Sequence, residues 1–139
     1  MTEPLRIAIA GLGTVGAGVV KLLGANRDLI ARRATRPIEV VAVSARDPNK
    51  GRRIDLSGLV WCENPVDLAH SPADVVVELV GGSDGMALEL ANATIASGKA
   101  FVTANKAMIA HHGLALAEAA EARGTALKYE AAVAGGIPV

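Results

Sequence analysis

The residues best suited to chemistry stand in a few short runs. Gly11-Leu12-Gly13-Thr14-Val15-Gly16 follows directly on an apolar stretch. Gly11 permits a tight turn, Gly13 lets a phosphate approach the backbone, and Gly16 lets a following helix pack closely on the preceding strand. A helix opening there offers unpaired N–H donors and partial positive charge to a pyrophosphate. The spacing points to dinucleotide binding, and the competing reading is a strand-to-helix turn with no ligand. A second run, Ser44-Ala45-Arg46-Asp47, has Lys50, Arg52 and Arg53 close behind it. An acid at the end of the second strand would bond the ribose 2′-hydroxyl of NAD. Here Arg46 could lie over the adenine and pair with a 2′-phosphate, with Ser44 and Lys50 as further donors, which favours NADP. The alternative is a solvated basic loop in which Asp47, one place late, still serves the 2′-hydroxyl, and dual use stays open.

Two further runs lie later in the chain. Val75-Val76-Val77-Glu78-Leu79-Val80 breaks into Gly81-Gly82, which would let the nicotinamide half of a dinucleotide pass close to the backbone. Taken alone, an ordinary strand-end turn is the better account of it. Val102-Thr103-Ala104-Asn105-Lys106-Ala107 puts a lysine at the end of another strand, facing the same crevice. Such a lysine can hold a substrate oxygen or carboxylate and shift its proton affinity, although taken alone Lys106 is better read as a solvated surface residue.

These runs need a scaffold, and the chain supplies one. Short apolar runs alternate with helical stretches, which predicts βαβ units and an α/β fold: a doubly wound, Rossmann-type parallel sheet with helices on both faces. Strands are expected over 5–10, 38–44, 60–62, 74–80, 100–103 and 126–130. Helices are expected over 14 to about 31, 66–69, 86–97 and 114–122. In the first of these, Val15, Val19, Leu22, Leu23 and Ile30 fall near helical spacing. Gly98 and Gly124 are the stop signals of the last two.

Composition narrows the function classes. The 139 residues are 51% hydrophobic and 20% charged, enough apolar content for one domain with one core. Fourteen basic and fourteen acidic residues leave no net charge, and 2% aromatics leave no stacking platform, so no nucleic-acid partner is expected. The lone Cys62 fits a reducing compartment and rules out an internal disulfide. No apolar run approaches the roughly 20 residues that cross a bilayer, so a cytoplasmic protein without membrane contact is expected. His70, His111 and His112 have no ligand cluster around them and suit a solvated surface. The small, Gly-rich, apolar stretch 131–139 carries no terminating signal, which predicts that further chain follows it.

Taken together, the chain resembles homoserine dehydrogenase along its whole length. The resemblance rests on Gly11-Leu12-Gly13-Thr14-Val15-Gly16, Glu78-Leu79-Val80-Gly81-Gly82, Thr103-Ala104-Asn105-Lys106 and Glu130-Ala131-Ala132-Val133-Ala134-Gly135-Gly136-Ile137-Pro138, in that order and spacing. It implies NAD(P)-dependent interconversion of L-homoserine and L-aspartate 4-semialdehyde, on the route to threonine and methionine. It implies that residues 1–139 are the cofactor domain, inactive alone, with a substrate domain after it and a homo-oligomeric full-length enzyme. Lys106 would be an active-site lysine touching both nicotinamide and substrate, with Thr103, Ala104 and Asn105 shaping the floor. Glu130, Val133, Gly135 and Ile137 would belong to a monovalent-cation loop, where carbonyl oxygens suit sodium. A hinge into the next domain is the plainer account of that loop. Two rivals stay open: a nucleotide-sensing module, which would have no use for Lys106, and a related semialdehyde dehydrogenase, for which Cys62 is badly placed. A kinase domain in front is disfavoured by Met1 lying just before the first strand.

Overall fold

The computed structural model describes residues 2–135 and residue 137. Six parallel strands form one sheet: β1 (Leu5–Ala10), β2 (Ile38–Ser44), β3 (Val60–Trp61), β4 (Val75–Glu78), β5 (Ala100–Thr103) and β6 (Leu127–Lys128). Their spatial order is β3-β2-β1-β4-β5-β6. Helices α1 (Thr14–Ala25) and α2 (Arg27–Ala34) join β1 to β2, α3 (Met86–Ala96) joins β4 to β5, and α4 (Lys106–Arg123) joins β5 to β6. A 3₁₀ turn, Pro65–His70, leads from β3 towards β4, and a second, Glu130–Ala132, follows β6. The chain first winds outward from β1 to β3 and then returns to β4 on the other side of β1. The strand order therefore reverses between β1 and β4, and a crevice opens above their carboxyl ends. This is the doubly wound sheet expected from the alternating pattern.

The core has two layers, one on each face of the sheet. On one face Ala8, Ala10, Val76 and Phe101 meet Leu90 and Ile95 of α3, Met108 and Leu116 of α4, and Leu68. On the other, Ile7, Ile9 and Val43 meet Val19, Val20 and Leu23 of α1. Alternate residues of β4 divide between the faces, Val76 and Glu78 buried, Val75 and Val77 half-buried. Each fully buried Leu, Ile or Phe contributes about 1.5–3 kcal/mol of transfer free energy. The amino edge of the sheet is fastened by polar contacts. Arg6 grips Asp74 through Nη2 at 2.9 Å and Nε at 3.3 Å, and its backbone N–H donates to the same carboxylate at 2.9 Å. Lys99 Nζ donates to the carbonyls of Ser71 and Ala73.

Several elements differ from expectation in extent. The helix expected over 14–31 breaks at Asn26, which caps α1: its backbone N–H and side-chain Nδ2 both donate to the Leu22 carbonyl at 3.0 Å. Val15 and Leu22, although near helical spacing, point outward. Helix α4 starts at Lys106 rather than 114. Strand β6 is only Leu127–Lys128, because the chain turns into the 3₁₀ segment at Glu130. Among the described residues no helix is long and apolar enough to cross a membrane.

Candidate functional site

The turn between β1 and α1 is held from both sides. Gly11 N–H donates to the Ser44 carbonyl at 2.8 Å, and Leu79 N–H donates to the Ala10 carbonyl at 2.8 Å. Gly11 has φ +96, and a Cβ on it would sit 2.7 Å from the Leu79 carbonyl oxygen. A Cβ on Gly16 would lie 1.8 Å from the Gly11 carbonyl oxygen, so glycine is required there for the helix to start against the turn. A Cβ on Gly13 meets nothing within 4 Å. That open space is where a pyrophosphate would rest. The first intrahelical bond runs from Ala17 N–H to the Gly13 carbonyl at 2.9 Å, which leaves the N–H groups of Thr14, Val15 and Gly16 without helical partners. No side chain caps this end and no acid stands in its first turn. Its positive end is therefore unquenched.

Two depressions flank the turn along the carboxyl edge of the sheet. The larger, about 630 Å³, has Gly11, Leu12 and Gly13 on one wall, and Ser44, Arg46, Asp47, Lys50 and Arg52 on the other. Ser44 is fully buried, and among the described residues its Oγ has no hydrogen-bond partner. Arg46 and Lys50 are exposed, and no described contact engages their side chains. Asp47 is partly committed, since its Oδ1 accepts the Asn49 N–H at 2.8 Å. The smaller depression, about 160 Å³, is lined by Val15, Glu78, Leu79, Val80, Gly81, Ala104 and Asn105. Leu79 and Val80 border both, so the two form one crevice across the switch point. An open cradle, a free helix end and an orphaned hydroxyl fit a dinucleotide laid along it.

A buried carboxylate organises the floor of the smaller depression. Glu78, fully buried, accepts the backbone N–H groups of Val80 at 2.6 Å and Gly81 at 2.8 Å through Oε1, and the Thr103 hydroxyl at 2.6 Å through Oε2. Thr103 Oγ1 accepts the Asn105 N–H at 3.0 Å, and Asn105 Nδ2 donates to the Gly82 carbonyl. Gly81 and Gly82 hold φ +86 and +90, which only glycine adopts freely. The ends of β4 and β5 are thus one polar network. Asn105 also caps α4, its Oδ1 accepting the Met108 N–H at 3.1 Å, and Lys106 is the first helical residue. A cation at a helix N-terminus opposes the macrodipole by about 0.3–1 kcal/mol, a local cost of the kind that marks working sites. Lys106 is exposed beside the floor residues Ala104 and Asn105.

Glu130, Val133, Gly135 and Ile137 follow β6 and are all exposed. The Glu130 carbonyl accepts the Val133 N–H at 3.3 Å, and the Ala134 carbonyl accepts the Ile137 N–H at 2.8 Å. Gly136 and Pro138 of that run lie outside the described residues. Among the described residues no three His, Cys, Asp or Glu side chains gather as a metal site, and a loop that coordinates through carbonyls needs none.

In the sequence Glu78 stands out only as part of a family motif, and Arg52 only as one of several basic neighbours. A lone acid within the apolar run 75–80 was the available signal for Glu78. Nothing in the sequence singled out Arg52. Nor did it pair His112 with Asp84, whose Oδ1 lies 2.8 Å from His112 Nε2. Hydrogen bonds from Ser83 and His112 hold the Asp84 carboxyl below its usual range. Burial, and then the charge of Asp67, push the Cys62 thiol up, which makes it a poor nucleophile.

Comparison with known proteins decides the family. A family profile described as "Homoserine dehydrogenase, NAD binding domain" matches residues 11–130. The chain belongs to that family. Homoserine dehydrogenase of Pseudomonas aeruginosa is 46% identical over 99% of the chain, and that of Neisseria gonorrhoeae 41% identical over 99%. The crystal structure of a homoserine dehydrogenase from Thiobacillus denitrificans superposes with TM-score 0.88 at 44% identity over 98% of the chain. That of S. aureus homoserine dehydrogenase superposes at 0.84 with 34% identity over 94%. The chain spans 31% of the length of both curated relatives and of the T. denitrificans chain, and 34% of the S. aureus chain. It is an NAD(P)-binding α/β domain of that family.

Proposed function

We propose that residues 1–139 form the cofactor domain of a cytoplasmic, NADP-preferring homoserine dehydrogenase. The enzyme interconverts L-homoserine and L-aspartate 4-semialdehyde in threonine and methionine synthesis. One observation carries the reading: a single crevice has an acid-free helix N-terminus at its centre and, at one end, Arg46 and Lys50 with no described side-chain contact, while Lys106 follows directly on Ala104 and Asn105, which line the other end. The N–H groups of Thr14, Val15 and Gly16 hold the pyrophosphate, with Gly13 leaving it room and Leu12 closing the turn onto the core. Ser44, Arg46 and Lys50 take the 2′-phosphate. Gly81 and Gly82 let the nicotinamide pass, and Thr103, Ala104 and Asn105 form its floor. When bound, the nicotinamide exchanges a hydride with the substrate carbon bearing the alcohol or aldehyde. Lys106 positions that substrate's oxygen and stabilises the charge that develops on it. The carbonyls around Glu130, Val133, Gly135 and Ile137 hold a sodium ion near the exit from the domain. A substrate domain beyond residue 139 completes the site, and the full-length enzyme assembles as a homo-oligomer.

The test is a titration of the full-length protein with NADPH and with NADH, followed by nicotinamide emission. Two charge-assisted contacts to the 2′-phosphate should make NADPH at least about tenfold tighter. Equal affinities would remove the NADP preference while leaving the domain assignment, and binding of neither would sink the cofactor reading.

A further inference from the structure

The guanidinium of Arg52 touches three separate points of backbone. Nε donates to the Leu12 carbonyl at 3.1 Å, inside the glycine-rich turn. Nη1 donates to the Lys50 carbonyl at 3.1 Å and Nη2 to the Asp47 carbonyl at 2.6 Å. Its central carbon lies 5.8 Å from the centre of the Trp61 ring on β3. A planar fork fixed at three acceptors and seated near an aromatic ring has one orientation open to it. The acceptors belong to opposite walls of the larger depression: Leu12 to the pyrophosphate side, Asp47 and Lys50 to the ribose side. Among the described residues, the intervening loop is otherwise closed on itself only by the turn from Asp47 to Asn49.

We infer that Arg52 is a positioning residue for cofactor choice: it latches the 46–50 loop to the glycine-rich turn, so that Arg46 and Lys50 face the ribose before any nucleotide arrives. The inference rests on the reading of this crevice as a dinucleotide site with Arg46 at the 2′-phosphate. Without the latch the loop must be ordered at the moment of binding, and that cost falls on the ligand that uses the loop. NADPH uses it through its phosphate and NADH does not. Arg52 itself acts through backbone carbonyls rather than by pairing with the phosphate. Lysine, a point charge on a flexible stem, cannot replace it.

The test is Arg52→Lys in the full-length protein, with thermal melting as a check on folding. Two measurements decide it: backbone N–H order parameters over residues 46–50 without nucleotide, and the ratio of NADH to NADPH dissociation constants. The expected result is loop order parameters falling below about 0.6, NADPH about tenfold weaker and NADH within about twofold of wild type, since only the pre-ordering is lost. Unchanged order parameters overturn the latch, whatever the nucleotides do. Lowered order parameters with both nucleotides weakened equally overturn its role in cofactor choice. Lowered order parameters in a protein whose wild type does not discriminate between the nucleotides uphold the latch and sink the NADP reading instead. Full retention of NADPH affinity in Arg52→Lys, set against loss in Arg52→Ala, would make Arg52 a direct phosphate ligand and overturn the proposal.

Discussion

Gly13 and Gly16 stand three residues apart in one turn and are glycine for opposite reasons. At Gly16 the constraint is internal, because a Cβ would collide with the Gly11 carbonyl at 1.8 Å. Gly16→Ala is expected to cost about 3 kcal/mol or more, as overpacking against backbone has no side chain to yield. Calorimetry would show it as a drop in Tm. At Gly13 the constraint comes from outside the chain. Its φ of −74 suits alanine and a Cβ there meets nothing. Gly13→Ala should melt within a few degrees of wild type yet bind NADPH at least about tenfold more weakly, since the methyl occupies the phosphate's place. Wild-type affinity in that variant would show that the open space is not the cradle. Lys106→Ala should separate binding from turnover in the full-length enzyme: kcat for homoserine oxidation falls about 100-fold or more, with the NADPH dissociation constant little changed. A kcat within threefold of wild type would remove Lys106 from the chemistry.

The elements show where sequence periodicity carries information and where it stops. Strands β1, β2, β4 and β5 were legible because their runs are largely apolar, Arg6, Glu39 and Glu78 apart, and meet a glycine, serine or threonine at or soon after their ends. Helix α4 was legible only in its second half. Its first turns set Met108 and Ile109 among Lys106, His111, His112 and Gly113, which blurs the apolar face, and the cap that starts it is a bond from the Met108 N–H to the Asn105 side chain. The site was legible in the same uneven way. Glycine turns announce themselves by residue type, whereas Glu78 with Thr103, and Arg52 with Leu12, are partnerships across 25 and 40 residues that spacing cannot express. The ion pair that aligns the starts of β1 and β4 gives a pH prediction. The hydrogen bond and charge of Arg6 hold the Asp74 carboxyl below its ordinary value of 3.8. A depressed carboxylate contributes stability that is present above its unfolded value and is lost as pH falls through the folded one. Both groups are open to solvent, which screens the pair, so the contribution is small. Asp74→Asn should therefore lower Tm slightly at pH 7, and the difference should narrow as pH falls below the ordinary carboxylate value. A gap that persists undiminished at pH 2 would mean that the ion pair is not its source.

At the scale of the molecule the sheet has a working edge and a fastening edge. The carboxyl ends carry the glycine turn, the Glu78 network and Lys106, while the amino ends carry Arg6 with Asp74 and Lys99 with its two carbonyls. Separating them lets the crevice be shaped without loosening strand register. The two faces are less evenly furnished. Helices α3 and α4 pack on one face together with Val76 and Phe101, and α1 covers Ile7, Ile9 and Val43 on the other. Val75, Val77 and Val102 remain only half-buried, with Val15, Val80 and Tyr129 exposed. A parallel sheet normally has both faces dressed. The α1 face is therefore less fully covered over β4 and β5, and the consequence is colloidal: purified by itself, the 139-residue domain should self-associate as its concentration rises, scattering more light per milligram at millimolar than at micromolar levels while its secondary structure stays native.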